Sequence, residues 1–364
     1  MRSAIVRWRD EVGDTYVLGL VRIGLGLLLF ANALRAGREL QQGYFGDVFH
    51  WPILPEPLVP SRTAYAILVA LQLLLAALVV SGHRARTALF TSAIVGMYVL
   101  LCDRLQFHHN RAALFFYSLL ISFSPCDRSL SMAVPITGTA GPLWAVRLAQ
   151  LQVSLIYVAS GGSKLIDADW RGGRVLMERA ALYGQQAIDR GIPGGLVQWI
   201  SRADVASAFA KIAIATELLL AVALWLDSTR VFALWWGLWF HLTIEATSRV
   251  EGFTWLTFTM YALFCIPDLR GRKLYYDASR LRGRGFARAV SLLDWLARFD
   301  VKAWAPDRVV QGHAVVVIRR DGSHATGLGA LAMVARCTPL VFPMWAPLAL
   351  VASFTKGGDA SPRA

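Results

Sequence analysis

Apolar residues gather in eight long runs over the first three quarters of the chain: 16–36, 64–82, 87–102, 111–124, 143–161, 204–226, 230–247 and 253–267. A helix needs about 20 such residues to cross a hydrocarbon layer of roughly 30 Å. Several of these runs are shorter, and several hold polar side chains. Short spans with polar interiors suit a compact bundle with an internal site better than a set of plain anchors. The pattern therefore predicts an all-α polytopic membrane bundle of about eight transmembrane helices.

After residue 270 the period changes. Lys273–Tyr276 reads as a short strand. Residues 284–298 carry Phe286, Val290, Leu293 and Leu296 near one helical face. His313–Ile318 is a second strand, Arg320-Asp321-Gly322 a turn, and 326–336 a further helix. The apolar run 338–354 is broken by Pro339, Pro343 and Pro347, so it reads as a docking or interfacial segment rather than a ninth span. The division is 1–270 for the transmembrane domain, 271–355 for a small α/β module and 356–364 for a disordered tail.

Between the runs, Tyr44-Phe45-Gly46-Asp47 leads into the proline-rich Trp51–Pro57, a rigid irregular loop. The segment 162–203 is the longest connection and predicts an interfacial helix near 173–190. Basic loops set orientation. Arg2, Arg7 and Arg9, the tight His83-Arg84-Ala85-Arg86 loop, and the run from Arg270 to Arg288 share one side if the spans are even in number. Both termini are then cytoplasmic, with 37–62, 103–110 and 162–203 outside. The first run resembles a signal sequence, but Arg22 at its centre argues for an uncleaved helix.

Composition agrees. The chain is 56% hydrophobic and 17% charged, against about 25% charged in soluble domains. Its net charge of +13 is mostly arginine and is met by anionic lipid rather than nucleic acid. Cys102, Cys126, Cys265 and Cys337 are widely spaced, which excludes a CxxC redox pair, a zinc knuckle and a haem motif.

The candidate chemistry lies in the polar residues at membrane depth. Arg22 and Arg147 are ion-pair candidates for Glu217 or Glu245, and Lys211 can snorkel from a helix end. His241 and Glu245 are one turn apart, so the carboxylate can orient the imidazole for proton transfer. A metal there would need a third ligand. His108-His109-Asn110 marks the edge of the fourth run. In Gln152–Trp170 a polar-faced span reaches Gly161-Gly162, then Lys164, Asp167, Asp169 and Trp170. A lysine desolvated there can act as a base, or pair with Asp167 or Asp169.

These residues resemble the transmembrane domain shared by vitamin K-dependent γ-carboxylases and their bacterial relatives, the HTTM (horizontally transferred transmembrane) family. The resemblance covers about residues 7–270. It rests on Arg22 with Gly24 and Gly26, Tyr44-Phe45, His109-Asn110, Ser124-Pro125 with Ser129-Leu130-Ser131, Tyr157 to Trp170, Glu217, Phe240-His241 and Phe264…Pro267. It implies a lysine base acting on a quinone-like lipid cofactor, with histidines at positions 109 and 241 near the site. The family has two adjacent lysines before Leu-Asp-Ala-Asp-Trp. Here Lys164 matches the first and Leu165 the second, catalytic one, which argues against classical γ-carboxylation. The C-terminal segment resembles the DCC-type thiol-disulfide oxidoreductase-like proteins, a degenerate thioredoxin-like module. Arg280 and Gly283 stand at its two cysteine positions.

Whether the chain is an enzyme stays open at this level. One class is a carboxylase-like lyase or redox-linked membrane enzyme acting on a lipid-soluble, quinone-like or peptide substrate. Its candidate catalytic residues are Lys164, His109, His241 and Glu245, with Asp167, Asp169, Trp170, Tyr157, Arg22, Arg147 and Glu217 in binding or positioning roles. A second is a non-catalytic lipid- or partner-binding membrane protein. A third, a transporter, is disfavoured by the lack of repeated halves.

Overall fold

A computed structural model of the chain describes residues 11–44, 51–105, 107–132, 140–226, 228–248, 252–266, 272–294, 298–304, 313–318 and 322–355. Arg2, Arg7, Arg9, Phe45–Asp47, Arg249, Arg270, Trp295, Leu296, Arg320, Asp321 and the tail 356–364 lie outside the described residues. The chain forms two compact units, one of Met1–Trp225 with Gly237–Ile266 and one of Leu226–Trp236 with Pro267–Ala364.

The first unit opens with β1 (Val12–Asp14), then α1 (Tyr16–Gln41), α2 (Arg62–Ser81), α3 (Ala85–Leu101) and α4 (His109–Ser122). Next come β2 (Ala140–Pro142), α5 (Trp144–Ile166), the four-residue α6 (Ala168–Arg171), α7 (Arg174–Asp189), α8 (Gly194–Ile200) and α9 (Ala203–Ala223). It closes with α10 (Arg230–Ser248), whose start belongs to the second unit, and α11 (Phe253–Tyr261). Helices adjacent in sequence pack side by side: α1 on α2, α2 on α3 and α3 on α4. The most extensive non-sequential packing is α9 against α5.

All eight predicted stretches are helical, and α7 falls on the predicted interfacial helix. Only Tyr16–Gln41, Arg62–Ser81 and Ala203–Ala223 among the described residues are long and apolar enough to qualify as spans by length and composition alone. These three are the candidate spans among the eight expected; Ala85–Leu101 and Phe253–Cys265 are apolar but shorter. An unpredicted feature is the antiparallel pairing of β1 with β2, Val12 opposite Pro142.

Local sequence explains the helix ends. Ser61 caps α2 by accepting the Ala64 N–H at 3.3 Å. Gly82 ends the same helix at φ +84°. A Cβ at Gly82 would overlap the Arg22 guanidinium, so glycine lets the arginine lie against the turn. Arg22 is fully buried and donates to the Leu130 carbonyl at 2.6 Å. It therefore ties α1 to the 129–131 segment, and the expected ion pair with Glu217 or Glu245 is not formed. Arg147 pairs instead with Glu11, Nε donating to Oε2 at 2.8 Å.

The second unit is a four-stranded sheet in the order β4 (Phe299–Ala303), β3 (Arg272–Tyr276), β5 (Val315–Ile318), β6 (His324–Thr326). β3 and β4 run parallel; the other pairs are antiparallel. α12 (Leu281–Leu293) and α13 (Gly327–Cys337) supply Val290, Ala330, Val334 and Cys337 to a core with Leu274, Phe299 and Val317. α12 ends at Leu293, before the predicted 298, and the Asp294 carboxylate accepts the backbone N–H groups of Arg298 (2.8 Å) and Phe299 (2.7 Å). A 3-10 stretch, Pro339–Met344, then leads to α14 (Trp345–Thr355).

Candidate functional site

Helix α5 carries one polar stripe. Gln150, Ser154, Tyr157, Ser160 and Lys164 recur at three- and four-residue spacing, so they share a face. Every member of that stripe is used. Gln150 donates to the Leu263 carbonyl at 2.8 Å and accepts from Arg147 Nη1 at 2.8 Å. Ser154 donates to the Ala221 carbonyl at 2.9 Å and accepts the Trp225 indole N–H at 2.7 Å.

Higher on the stripe, the Tyr157 hydroxyl lies 2.7 Å from His241 Nε2 and hydrogen-bonds the Tyr261 hydroxyl. All three side chains are at least 95% buried: Tyr157 4%, His241 1% and Tyr261 5% exposed. The other imidazole nitrogen, Nδ1, has no hydrogen-bond partner among the described residues. The proton count favours one arrangement. If Tyr261 donates to Tyr157 and Tyr157 donates to Nε2, both hydroxyl protons are used and the imidazole proton sits on Nδ1. The reverse direction leaves a bare Nδ1 and an unused Tyr261 proton together. Gly237 on α10 makes room, since a Cβ there would overlap the Tyr261 phenol.

Two turns further on, Lys164 Nζ lies 2.7 Å from each carboxylate oxygen of Glu217 on α9. Ser160 joins the pair, its Oγ 3.1 Å from Glu217 Oε1 and hydrogen-bonded to Nζ. Gly161 faces Glu217 and Leu218, which allows the close α5–α9 approach. Lys164 also lies 5.1 Å from the centroid of Trp170, whose ring meets the Arg179 guanidinium at 5.7 Å.

A small, partly open apolar cleft with about 20 Å³ of free space adjoins Tyr157. It is walled by Ala113 and Tyr117 of α4, Val153 and Ile156 of α5, and Phe253, Leu256, Thr257 and Met260 of α11. Phe253 lines the cleft and meets the His241 ring edge-to-face, centroids 5.1 Å apart. Tyr157 thus belongs both to the cleft wall and to the hydrogen-bonded trio.

The structure brings together Tyr157, His241, Lys164, Glu217 and Trp170 and leaves other candidates apart. Glu245 does not hydrogen-bond His241; its Oε2 has no partner among the described residues. His109 is exposed at the start of α4, edge-to-face with Phe107 at 5.6 Å. Asp167 caps α6, accepting from the Asp169 N–H at 2.8 Å, and Asp169 pairs with Arg174. Neither aspartate therefore pairs with Lys164. Leu165 is 47% exposed. Sequence reading missed Tyr261, Ser160 and the cleft residues of α4 and α11. Tyr261 and Met260 sit in an apolar run, where nothing local separates them from ordinary core.

Residues 11–269 match the family model of the HTTM domain. The chain belongs to the HTTM domain family and is a membrane protein of that family. Comparison with curated proteins and with solved structures returns no match.

Proposed function

We propose that this HTTM protein binds a lipid-soluble, quinone-like molecule in the cleft beside Tyr157 and exchanges a proton with its oxygen through the Tyr157–His241 pair. The carrying observation is the juxtaposition of an apolar cleft with a buried, hydrogen-bonded Tyr–His–Tyr trio. Ligand sites typically have apolar walls and few polar groups. The free space here, about 20 Å³, holds about one water, so a ring enters as the walls part, with its chain continuing into lipid. A hydroxyl at Tyr157 can pass its proton along the hydrogen bond to an imidazole held ready to receive it.

Lys164 fits a positioning role better than that of a free base. As an ammonium between two carboxylate oxygens it has no lone pair to take a proton. It fixes α5 against α9, and so sets the height of Tyr157 two turns below. His109 and Glu245 make no hydrogen bond to the trio among the described residues and are not assigned roles in it. The protein is read as residing in the cell membrane with both termini cytoplasmic. The second unit is read as a scaffold descended from a DCC-type module, with Arg280 and Gly283 in place of its thiols.

Organic extraction and mass spectrometry of protein purified in mild detergent tests this reading. An isoprenoid quinone enriched in wild type and reduced in Tyr157→Phe and Met260→Trp supports it. Bulk phospholipid alone, equal in all three, removes it in favour of a purely structural trio.

A further inference from the structure

The second unit presents an apolar surface that its core does not use. From Thr338 to Thr355 the sequence holds no charged residue. Leu340, Met344, Leu350 and Val351 in this stretch are each about half exposed or more, from 49% to 61%. Contiguous apolar exposure of this kind marks an interaction surface.

The charge of the unit argues what covers it. Residues 267–364 carry fifteen Lys or Arg against seven Asp and no Glu. α12 exposes Arg282, Arg284 and Arg288 and contains no acidic residue. The Arg336 guanidinium lies 5.4 Å over the Trp345 ring, which stacks on Phe342 at 5.6 Å. Stacked aromatics and a cation beside an uncharged apolar strip are the composition of a membrane interface. A protein partner would need a complementary acidic rim. An anionic bilayer supplies both halves of the match, and the same polypeptide carries a membrane unit.

Spanning is excluded by geometry. α14 has 11 residues, about 16 Å of helix, and packs along α13, whose Ala330 and Val334 are fixed in the core. We propose that Pro339–Thr355 is a membrane-surface anchor. It lies in the plane of an anionic leaflet, with Leu340, Met344, Leu350 and Val351 among acyl chains and the unit's arginines at phosphate headgroups. This inference does not depend on the ligand reading above.

The full-length protein tests it with a nitroxide at Met344→Cys and, separately, at Val351→Cys. The native cysteines are buried, so the label goes to the new thiol. Ala303→Cys, exposed on the edge strand β4, is the aqueous reference. In nanodiscs of phosphatidylcholine with phosphatidylglycerol, both test sites should favour oxygen over a nickel chelate several-fold more than position 303 does. The preference should fall in pure phosphatidylcholine and in the R282Q/R284Q/R288Q variant. Nickel access equal to that at 303 overturns the anchor. Spin–spin broadening at either test site overturns it in favour of a second copy of the chain. Oxygen preference indifferent to lipid charge and to the arginines overturns the headgroup half.

Discussion

Lys164 reaches across the α5–α9 seam to Glu217, its Nζ 2.7 Å from both carboxylate oxygens, and ignores the two aspartates that follow it in sequence. Both side chains are largely buried, at 16% and 9% exposure. Removing one partner leaves a charge unpaired in a poorly solvated place. Lys164→Ala or Glu217→Ala alone should cost about 3–5 kcal/mol, while Lys164→Met combined with Glu217→Leu should cost far less. Thermal unfolding in detergent of the two single variants and the double reads the difference.

Tyr157 is the centre of its trio and Tyr261 an end. Tyr157→Phe strips a partner from both His241 Nε2 and the Tyr261 hydroxyl, so it should destabilise by about 1–3 kcal/mol. Tyr261→Phe leaves Tyr157 donating to the imidazole and should cost less. The order of the two unfolding midpoints is the check; equal midpoints would mean the hydroxyls are not coupled as described.

Gly237 owes its place to Tyr261. Gly237→Ala should cost about 1–3 kcal/mol by overpacking, because the new methyl meets the phenol oxygen and the ring carbons beside it. In a Tyr261→Phe background part of that cost should vanish. A double-mutant cycle on unfolding free energy measures the coupling.

In the second unit, burial holds the Asp294 carboxyl above the usual carboxylate range, although two backbone N–H bonds and nearby arginines oppose the shift. The folded state then binds the proton more tightly than the unfolded state. Stability contributed by this group is largest at low pH and falls as pH rises from the ordinary carboxylate value through the raised one. Asp294→Asn should flatten that acid-range slope. Amide exchange of the β3–β5 core, followed against pH in both proteins, reads it.

The helices of the first unit were legible because apolar runs near bilayer length have few alternatives. The α5 stripe was legible too, since Gln150, Tyr157 and Lys164 recur at helical spacing. Their partners were not. Glu217, His241 and Tyr261 come from helices far along the chain, and periodicity carries no information on which faces meet. His241 and Glu245 do share a face, but spacing does not fix where a ring nitrogen points, and Nε2 turns to Tyr157. Glu11, the partner of Arg147, lies before the first span, where the hydrophobic pattern is silent. The three-residue strands β1 and β2 contain glycine and proline and show no alternation to read.

Photolabelling tests the central claim most directly. A photoreactive ubiquinone analogue would be incubated with the protein in nanodiscs, irradiated, and the adducts mapped by peptide mass spectrometry, with and without excess unlabelled quinone. The account predicts adducts on Val153–Tyr157 and Phe253–Met260 that excess quinone suppresses and Met260→Trp abolishes. Adducts spread over exposed apolar positions such as Leu219 and Trp239, unaffected by competitor, would contradict it.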